Sequence, residues 1–258
     1  MTISTASAIT QTPTAQTSTT QNPTTQTPTS QAPGTEGPMT PLPDPGSSPR
    51  TRVRRLPEKA VVDRSALHTV LDAGLVGHLA LADDAGQPYA VPVAYARRDE
   101  TVLFHGSTAS RLFRLCAAGT PVCFAVTLLD GLVLARSAFE SSMNYRSVMA
   151  LGHCAVLHGR AKRTALEQIS EHLMPGRWQE IRHPSEQELR ATTVLELGLE
   201  ECSLKVSAGG PDDGEPDLGL PVWAGAVPLA ETWCDPVPAE DLAAEFESVP
   251  DYIRRWRR

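Results

Sequence analysis

Residues Leu128–Gly152 read LLDGLVLARSAFESSMNYRSVMALG, two apolar, β-like runs joined by an unusually polar loop. A plain surface hairpin has little use for Arg136, Ser137, Ser141, Ser142, Asn144, Tyr145, Arg146 and Ser147 between such runs, so the loop points to a bound anion or a partner chain. Strand-like runs bounded by turn residues continue on both sides. Upstream, Val76–Ala82, Ala90–Arg97, Thr101–His105 and Val122–Thr127 read as short strands, with turns at Asp83–Gly86 and Arg98–Asp99. Pro88 and Pro92 put the second of these on an edge or beside a bulge, because proline has no N–H for a ladder. Leu132–Ser137, Ser147–Leu157, Thr193–Leu199, Cys202–Ser207 and a run around Val222–Val227 complete the strands.

Helices interrupt this pattern. Asp63–Leu71 has helical apolar spacing, an Asp able to cap its start and Gly74 after its end. Ser107–Ala118 predicts a second helix, stopped by Gly119. Thr164–Glu167 and Ser185–Glu188 both carry the capping-box pattern, which predicts two helices between Lys162 and Arg190. Pro175–Trp178 reads as a break between helix and loop. The fold class is therefore mainly β with helical insertions, an antiparallel barrel, and no alternating βαβ units argue for a doubly wound sheet.

Residues 1–48 stand apart, rich in Thr, Gln and Pro, with Glu36 and Asp44 as their only charges. Such a segment buries too little apolar surface to offset its ordering entropy, so it reads as a disordered tail or as sequence ahead of the true start codon, and it has no secretory-signal pattern. Residues 49–236 suffice for one domain with a substantial core, and 237–258 read as a helical or flexible tail. No apolar run approaches the roughly 20 residues of a membrane span. Cys116, Cys123, Cys154, Cys202 and Cys234 are widely spaced and form no CxxC pair. They predict neither a metal site nor a disulfide framework and fit a reducing cytoplasm. The net charge of −7 disfavours nucleic acid, and the basic runs Arg50–Arg55 and Arg254–Arg258 read as solvated ends.

Chemistry concentrates in Phe104–Arg111, FHGSTASR, which ends a strand and opens a helix. Gly106 permits close backbone approach, Ser107, Thr108 and Ser110 offer hydroxyls, and Arg111 offers a planar fork for phosphate oxygens. Ordinary capping with one surface arginine accounts for the same residues. His105 serves either packing or chemistry, and His153, His158, His172 and His183 carry no assigned role. Trp223, beside Gly225, is either an aromatic wall for a planar ligand or a core residue.

Five segments in order, GHLALADDAGQPYAVPVAY, LFHGSTASR, DGLVLARSAF, SMNYRSVMALG and LPVWAGAVPL, resemble the pyridoxamine 5′-phosphate oxidase-like, FMN-binding split-barrel superfamily. The likeness is greatest to its flavin-nucleotide-binding or nitroimidazole-resistance (Nim-like) branch and spans about Arg54–Pro236. It implies a six-stranded antiparallel split barrel that dimerises, with FMN in two clefts between subunits. Pro92, Val93 and Ala94 would lie along the isoalloxazine through their backbone. His105 and Gly106 would follow the flavin edge and ribityl chain, with Ser107 beside them. Ser110 and Arg111 match the family's Ser-Arg-Lys phosphate motif, but Leu112 stands where Lys is usual. Ser147 falls where the oxidases often carry a flavin-contacting Gln, and Trp223 matches the Trp that closes the cleft from the second subunit.

The Arg-x-His substrate clamp of the true oxidases has no match, since the chain ends YIRRWRR, so pyridoxamine phosphate oxidase activity itself is not expected. In the Nim-like branch the His of the FHG segment works beside the flavin, which makes His105 the candidate catalytic residue. The resemblance thus implies a cytoplasmic, homodimeric, FMN-dependent oxidoreductase. It would pass electrons or hydride to a small acceptor such as a nitro-aromatic or quinone. Two other readings stay open: a reductase of the same fold that uses the deazaflavin F420, and a flavin- or haem-binding protein without turnover.

Overall fold

Asp63 starts the first helix as its residue type predicts. Its carboxylate accepts from the Ser65 N–H at 2.9 Å, and α1 (Arg64–Ala73) turns Leu67, Val70 and Leu71 inward at the i, i+3, i+4 spacing of one helical face. The structure is a computed structural model and describes residues 41–256. Residues 1–40, most of the tail expected to be disordered, lie outside the described residues. Further along that tail Pro45 is buried and the Gly46 N–H donates to the Cys202 carbonyl at 2.7 Å, so chain ahead of residue 49 is already bonded to the folded body.

The strands are β1 (Ala60–Val61), β2 (Val76–Ala82), β3 (Pro88–Arg98), β4 (Thr101–Ser107), β5 (Val122–Leu134), β6 (Ser142–Gly152), β7 (Ala155–Val156), β8 (Thr192–Gly198), β9 (Cys202–Ser207) and β10 (Gly225–Pro228). All pairings are antiparallel, in the order β1-β9-β6-β5-β2-β3-β4-β8-β7, with β10 added beside β5. The described residues thus hold ten strands where the resemblance implied six. Three of the ten, β1, β7 and β10, are four residues or shorter.

The sheet curls round on itself. Leu195 and Leu197 of β8 share one core with Val148 and Ala150 of β6, although four strands lie between them in the pairing order. The middle of this core is aromatic. Tyr95 meets Phe124 edge-on at 5.1 Å, and Phe104 stacks on Phe124 at 6.1 Å, with all three side chains fully buried. Such pairs add about 0.5–1.5 kcal/mol each beyond the area they bury. The buried Tyr95 hydroxyl donates to the Leu71 carbonyl at 2.6 Å, which ties α1 to the barrel and satisfies a polar group that would otherwise cost stability.

Helices cover only one part of the barrel's outside. From α3 (Gly159–Leu173) and α4 (Glu186–Ala191), Ala165, Leu166, Ile169 and Leu189 pack on outward-facing Ala96, Leu103 and Val194, together with Trp178. The outer face of β2, β5 and β6 carries no such layer and exposes Val76, Leu132 and Met143.

Four sequence expectations are corrected. Val122–Thr127 and Leu132–Ser137 are one strand, because Asp130–Gly131, which resembles a turn, is passed by a bulge between Leu129 and Gly131. Thr164 caps nothing: α3 already starts at Gly159, so its Thr-x-x-Glu pattern lies inside the helix. Ser185 does form the box, with Ser185 Oγ accepting from the Glu188 N–H and the Glu188 carboxylate accepting from the Ser185 N–H. The helix expected from Ser107 begins at Arg111 as α2 (Arg111–Ala117), and the last strand pairs only from Gly225.

Candidate cofactor cleft

The barrel is split where β3 changes partner. Residues Pro88–Ala94 pair with β2, whereas Tyr95–Arg98 pair with β4. Past Phe104, β4 continues beside β8 alone, out to Ser107. Beyond the Tyr95–Phe104 pair the two strands therefore diverge. Pro92, Val93 and Ala94 form one lip, and His105, Gly106 and Ser107 form the other. Pro92 sits on the half of β3 with no strand on that side among the described residues, where a missing N–H breaks no ladder bond.

The turn after β4 closes the lower end of this fork. Ser107 Oγ accepts from the Ala109 N–H at 3.2 Å, the Ser107 carbonyl accepts from the Ser110 N–H at 3.0 Å, and the Thr108 N–H donates to Ala191. Ser110 is the N-cap of α2, yet its hydroxyl makes no capping bond. Arg111 reaches from the β4 side to the β3 side and lies over the ring of Tyr89, 3.9 Å from its centroid. That cation–π contact fixes the guanidinium plane while its N–H edges stay available to an anion. Tyr89 in turn donates to Asp83 at 3.2 Å. The Asp83 carboxyl is held below its ordinary pKa, first by the Gln87 N–H, then by Ala85, Tyr89 and the charge of Arg111.

Two predicted residues owe their identity to packing. A Cβ on Gly106 would stand 2.3 Å from the Phe113 ring, so this glycine makes room for Phe113 rather than for a ligand on that side. Leu112, standing where the family has Lys, is buried in the barrel core, so the charge missing from the motif is replaced by a packing side chain. His105 alternates outward from buried Phe104 and is accessible, but partial burial still holds its pKa below the ordinary value, which favours the neutral imidazole.

Ser147 and Trp223 are not brought to this cleft by their own chain. Ser147 pairs with Thr127 and Lys205; Val76 and Thr127 separate it from Ala94 across the sheet, about 14 Å at usual strand spacing. Trp223 precedes β10, is 67% exposed and folds its ring over Gly225. Gly225 pairs with Leu134, roughly 20 Å along β5 from Thr127. The polar loop of the hairpin is also occupied. Arg146 makes two bonds to Asp130, Arg136 pairs with the buried Asp213, and Asn144 donates to Gly209. Sequence reasoning passed over Tyr89, although it shares the inward side of β3 with Val93 and Tyr95, two and three alternations on.

A separate cavity of about 620 Å3 lies between the end of the barrel and the C-terminal segment. Its walls include Leu75, Leu128, His172, Trp233 and Trp256, with Arg255 at hand. His172 Nε2 is 2.7 Å from the Gly74 carbonyl. Among the described residues no helix is long and apolar enough to cross a membrane.

Residues 63–206 match the pyridoxamine 5′-phosphate oxidase family, just over half of the chain. No curated protein matches the chain. Among solved structures, an FAD- and haem-binding protein from Mycobacterium smegmatis is 39% identical over 76% of this chain and 96% of its own, with a TM-score of 0.73. The flavocytochrome Anf3 from Azotobacter vinelandii is 34% identical over 82% of this chain and 98% of its own, with a TM-score of 0.76. Both likenesses extend well beyond the family's residues. With a barrel split at Tyr95–Phe104 and this agreement in sequence, the chain belongs to the pyridoxamine 5′-phosphate oxidase-like family of flavin-binding proteins.

Proposed function

We propose that this protein is a flavin-dependent redox protein, an oxidoreductase that passes electrons or hydride to a small acceptor such as a nitro-aromatic or quinone. The observation that carries the reading is the fork between β3 and β4, which has eight of the ten predicted residues along its lips and lower end, Pro92 to Ala94, His105 to Ser107, Ser110 and Arg111. Arg111 and the Ser110 hydroxyl would hold the flavin phosphate, and the backbone of Pro92–Ala94 would run along the ring system. His105, neutral near pH 7, would sit at the ring edge as a hydrogen-bonding partner without adding a charge. A bound flavin supplies hydride and single-electron transfer itself, so these walls need no nucleophile or metal. F420 remains the rival cofactor, and side-by-side titration separates it from the flavins.

Ser147 and Trp223 enter this reading through a second copy of the chain. The uncovered outer face of β2, β5 and β6 supports such a homodimer, because exposed apolar side chains in one sheet face gain by being covered. Co-expression gives the test. Arg111→Ala and Trp223→Ala chains, each poor in flavin alone, should together form mixed dimers with one intact cleft. No recovery of bound flavin in the mixed dimers refutes the two-chain cleft, and protein that binds no flavin at any concentration refutes the function.

A second reading, a flavocytochrome, is favoured by the cavity beside His172. The two relatives described above are a haem-binding protein and a flavocytochrome. The cavity's leucines and tryptophans suit an apolar macrocycle, Arg255 suits a propionate, and a ring held by one nitrogen on a backbone carbonyl presents the other to a metal. Reconstitution with hemin, with a Soret band lost in His172→Ala, checks it.

A further inference from the structure

We infer that Cys116 and Cys154 form a peroxide-sensitive thiol pair, which closes into a disulfide and locks the helix carrying Arg111 to the barrel. The inference stands apart from the flavin reading and concerns residues which that reading does not use. All five cysteines are free, and the fold brings these two together. Val122 and Gly152 are register partners at one end of the β5–β6 ladder, so the chain entering β5 and the chain leaving β6 run side by side. Gly119, left-handed at φ 87°, ends α2, and its N–H donates back to the Cys116 carbonyl at 3.0 Å. The Gly119 carbonyl in turn meets His153 Nδ1 at 2.8 Å, which sets the end of α2 against the residue before Cys154. Alternation then turns Cys154 inward: His153 and Ala155 are exposed, whereas Cys154 and Val156 pack on the core that contains Cys116. Cys116 enters that core from α2 on the face of Leu112 and Phe113.

The two sulfurs have different roles. Cys116 is fully enclosed and Cys154 is half-buried, so peroxide meets Cys154 first. Contact with Cys154 lowers the pKa of Cys116, while contact with Cys116, and then burial, raises that of Cys154. One proton is thus held between the sulfurs, and the other leaves more readily than from a lone thiol. The Cys154 sulfur attacks hydrogen peroxide as its proton passes to Cys116. An S–O bond forms, the O–O bond breaks, and the departing hydroxide becomes water with the proton released earlier. The Cys116 sulfur then attacks the sulfur of the sulfenic acid, so that S–S forms, S–O breaks, and the leaving hydroxide takes the Cys116 proton as a second water. Two electrons pass from the thiols to peroxide, and a thiol reductant returns them. Cys202 shares the core but interacts with Arg64 and Glu100 rather than with a thiol.

Treatment of the reduced full-length chain with a slight excess of hydrogen peroxide, followed by denaturing alkylation and peptide mass, tests this. Two of the five thiols should be lost, one linked peptide should join Cys116 to Cys154, and dithiothreitol should restore both. Mapping separates this link from any made between chains through exposed Cys234. Closing a ring of roughly 40 residues should raise the melting temperature by roughly 5–10 °C. It should also slow hydrogen exchange across Arg111–Ala117. Cys116→Ser should leave Cys154 as a sulfenic acid that dimedone traps, and Cys154→Ser should leave enclosed Cys116 unreacted. Should either variant fold poorly, the peptide map of the parent chain still decides. Five surviving thiols, links only between other cysteines, or Cys154 passing to sulfinic acid without linking overturns the pair. A link that leaves melting and exchange unchanged overturns the lock. None of these outcomes bears on flavin binding, which titration reads separately.

Discussion

Gly106→Ala tests whether the cleft is shaped by packing behind it. The new methyl would stand 2.3 Å from Phe113 Cε2 and 2.6 Å from Cδ2 and Cζ, far inside van der Waals contact. Phe113 has little room to retreat, since it is 5% exposed and packs edge-on against Phe104 with 6.3 Å between ring centres. Overpacking of this kind costs about 1–3 kcal/mol. Alanine regains about 0.4–1 kcal/mol by restricting the unfolded chain. The net expectation is a loss of about 1–2 kcal/mol, read by urea denaturation with an unchanged m-value. Phe113→Leu alone should also destabilise, because it opens a cavity. The double variant should be less damaged than the sum of the two by about 1 kcal/mol, because the methyl then occupies space the ring has left. Flavin affinity should track this repacking, as Phe113 lies two residues from Arg111 on the same helix. A Gly106→Ala chain as stable as the parent, or strictly additive effects, refutes the argument.

Arg111→Ala should weaken flavin binding about 10- to 100-fold, the worth of one charge-assisted phosphate contact, while leaving urea stability within about 0.5 kcal/mol; equilibrium titration and denaturation read the two. His105→Gln should keep flavin binding and lose turnover. Because burial lowers the His105 pKa from its ordinary 6.5, the unfolded chain takes up its proton first as pH falls. That residue's contribution is therefore intact above pH 6.5 and is lost as pH drops through the folded pKa; His105→Gln should show a shallower decline of stability between pH 7 and 5. Ser185→Ala should cost about 1 kcal/mol by removing the α4 cap, measured by thermal melting. Glu188 of that cap, held at about 2 by Arg182 and the Ser185 bonds, contributes fully above pH 4.5 and loses that contribution progressively as pH falls from there through about 2. Salt-free melts from pH 5 to pH 2 should follow that order.

Local pattern carried the strands, the tight turns at Asp83–Gly86 and Arg98–Asp99 and the Asp63 cap of α1, and failed where residues far apart in the chain decide the pairing. Val76–Ala82 and Cys202–Ser207 were legible to the residue, because a half-buried strand writes its alternation into the sequence. Thr164 and Ser185 present the same capping signature, and only Ser185 caps. The polar run Gly159–Arg163 has no apolar period to reveal that the helix has already begun. The partner change of β3 depends on registers set by residues far apart in the chain, so Pro92 could signal an edge but not which half of the strand was free. Gly106 was legible as a point of close approach, but a missing Cβ does not say which neighbour fills the space, and on the Cβ side that neighbour is Phe113.

Leu112 joins the two levels. As a letter it is a lysine lost from a phosphate motif; in the fold it is a core residue beside Phe113, under α2. Burying it fixes the helix that carries Arg111, at the expense of one cation at the phosphate. An anchor with one motif cation fewer holds a mononucleotide less firmly, by about the tenfold or more that a charged contact contributes. Restoring the charge by Leu112→Lys separates the two demands. A buried lysine should destabilise the barrel. If the ammonium reaches the fork, flavin affinity should rise about tenfold by equilibrium titration, the worth of one charged contact. Unchanged flavin affinity in a folded Leu112→Lys chain would refute the idea that burying this side chain leaves the anchor one cation short.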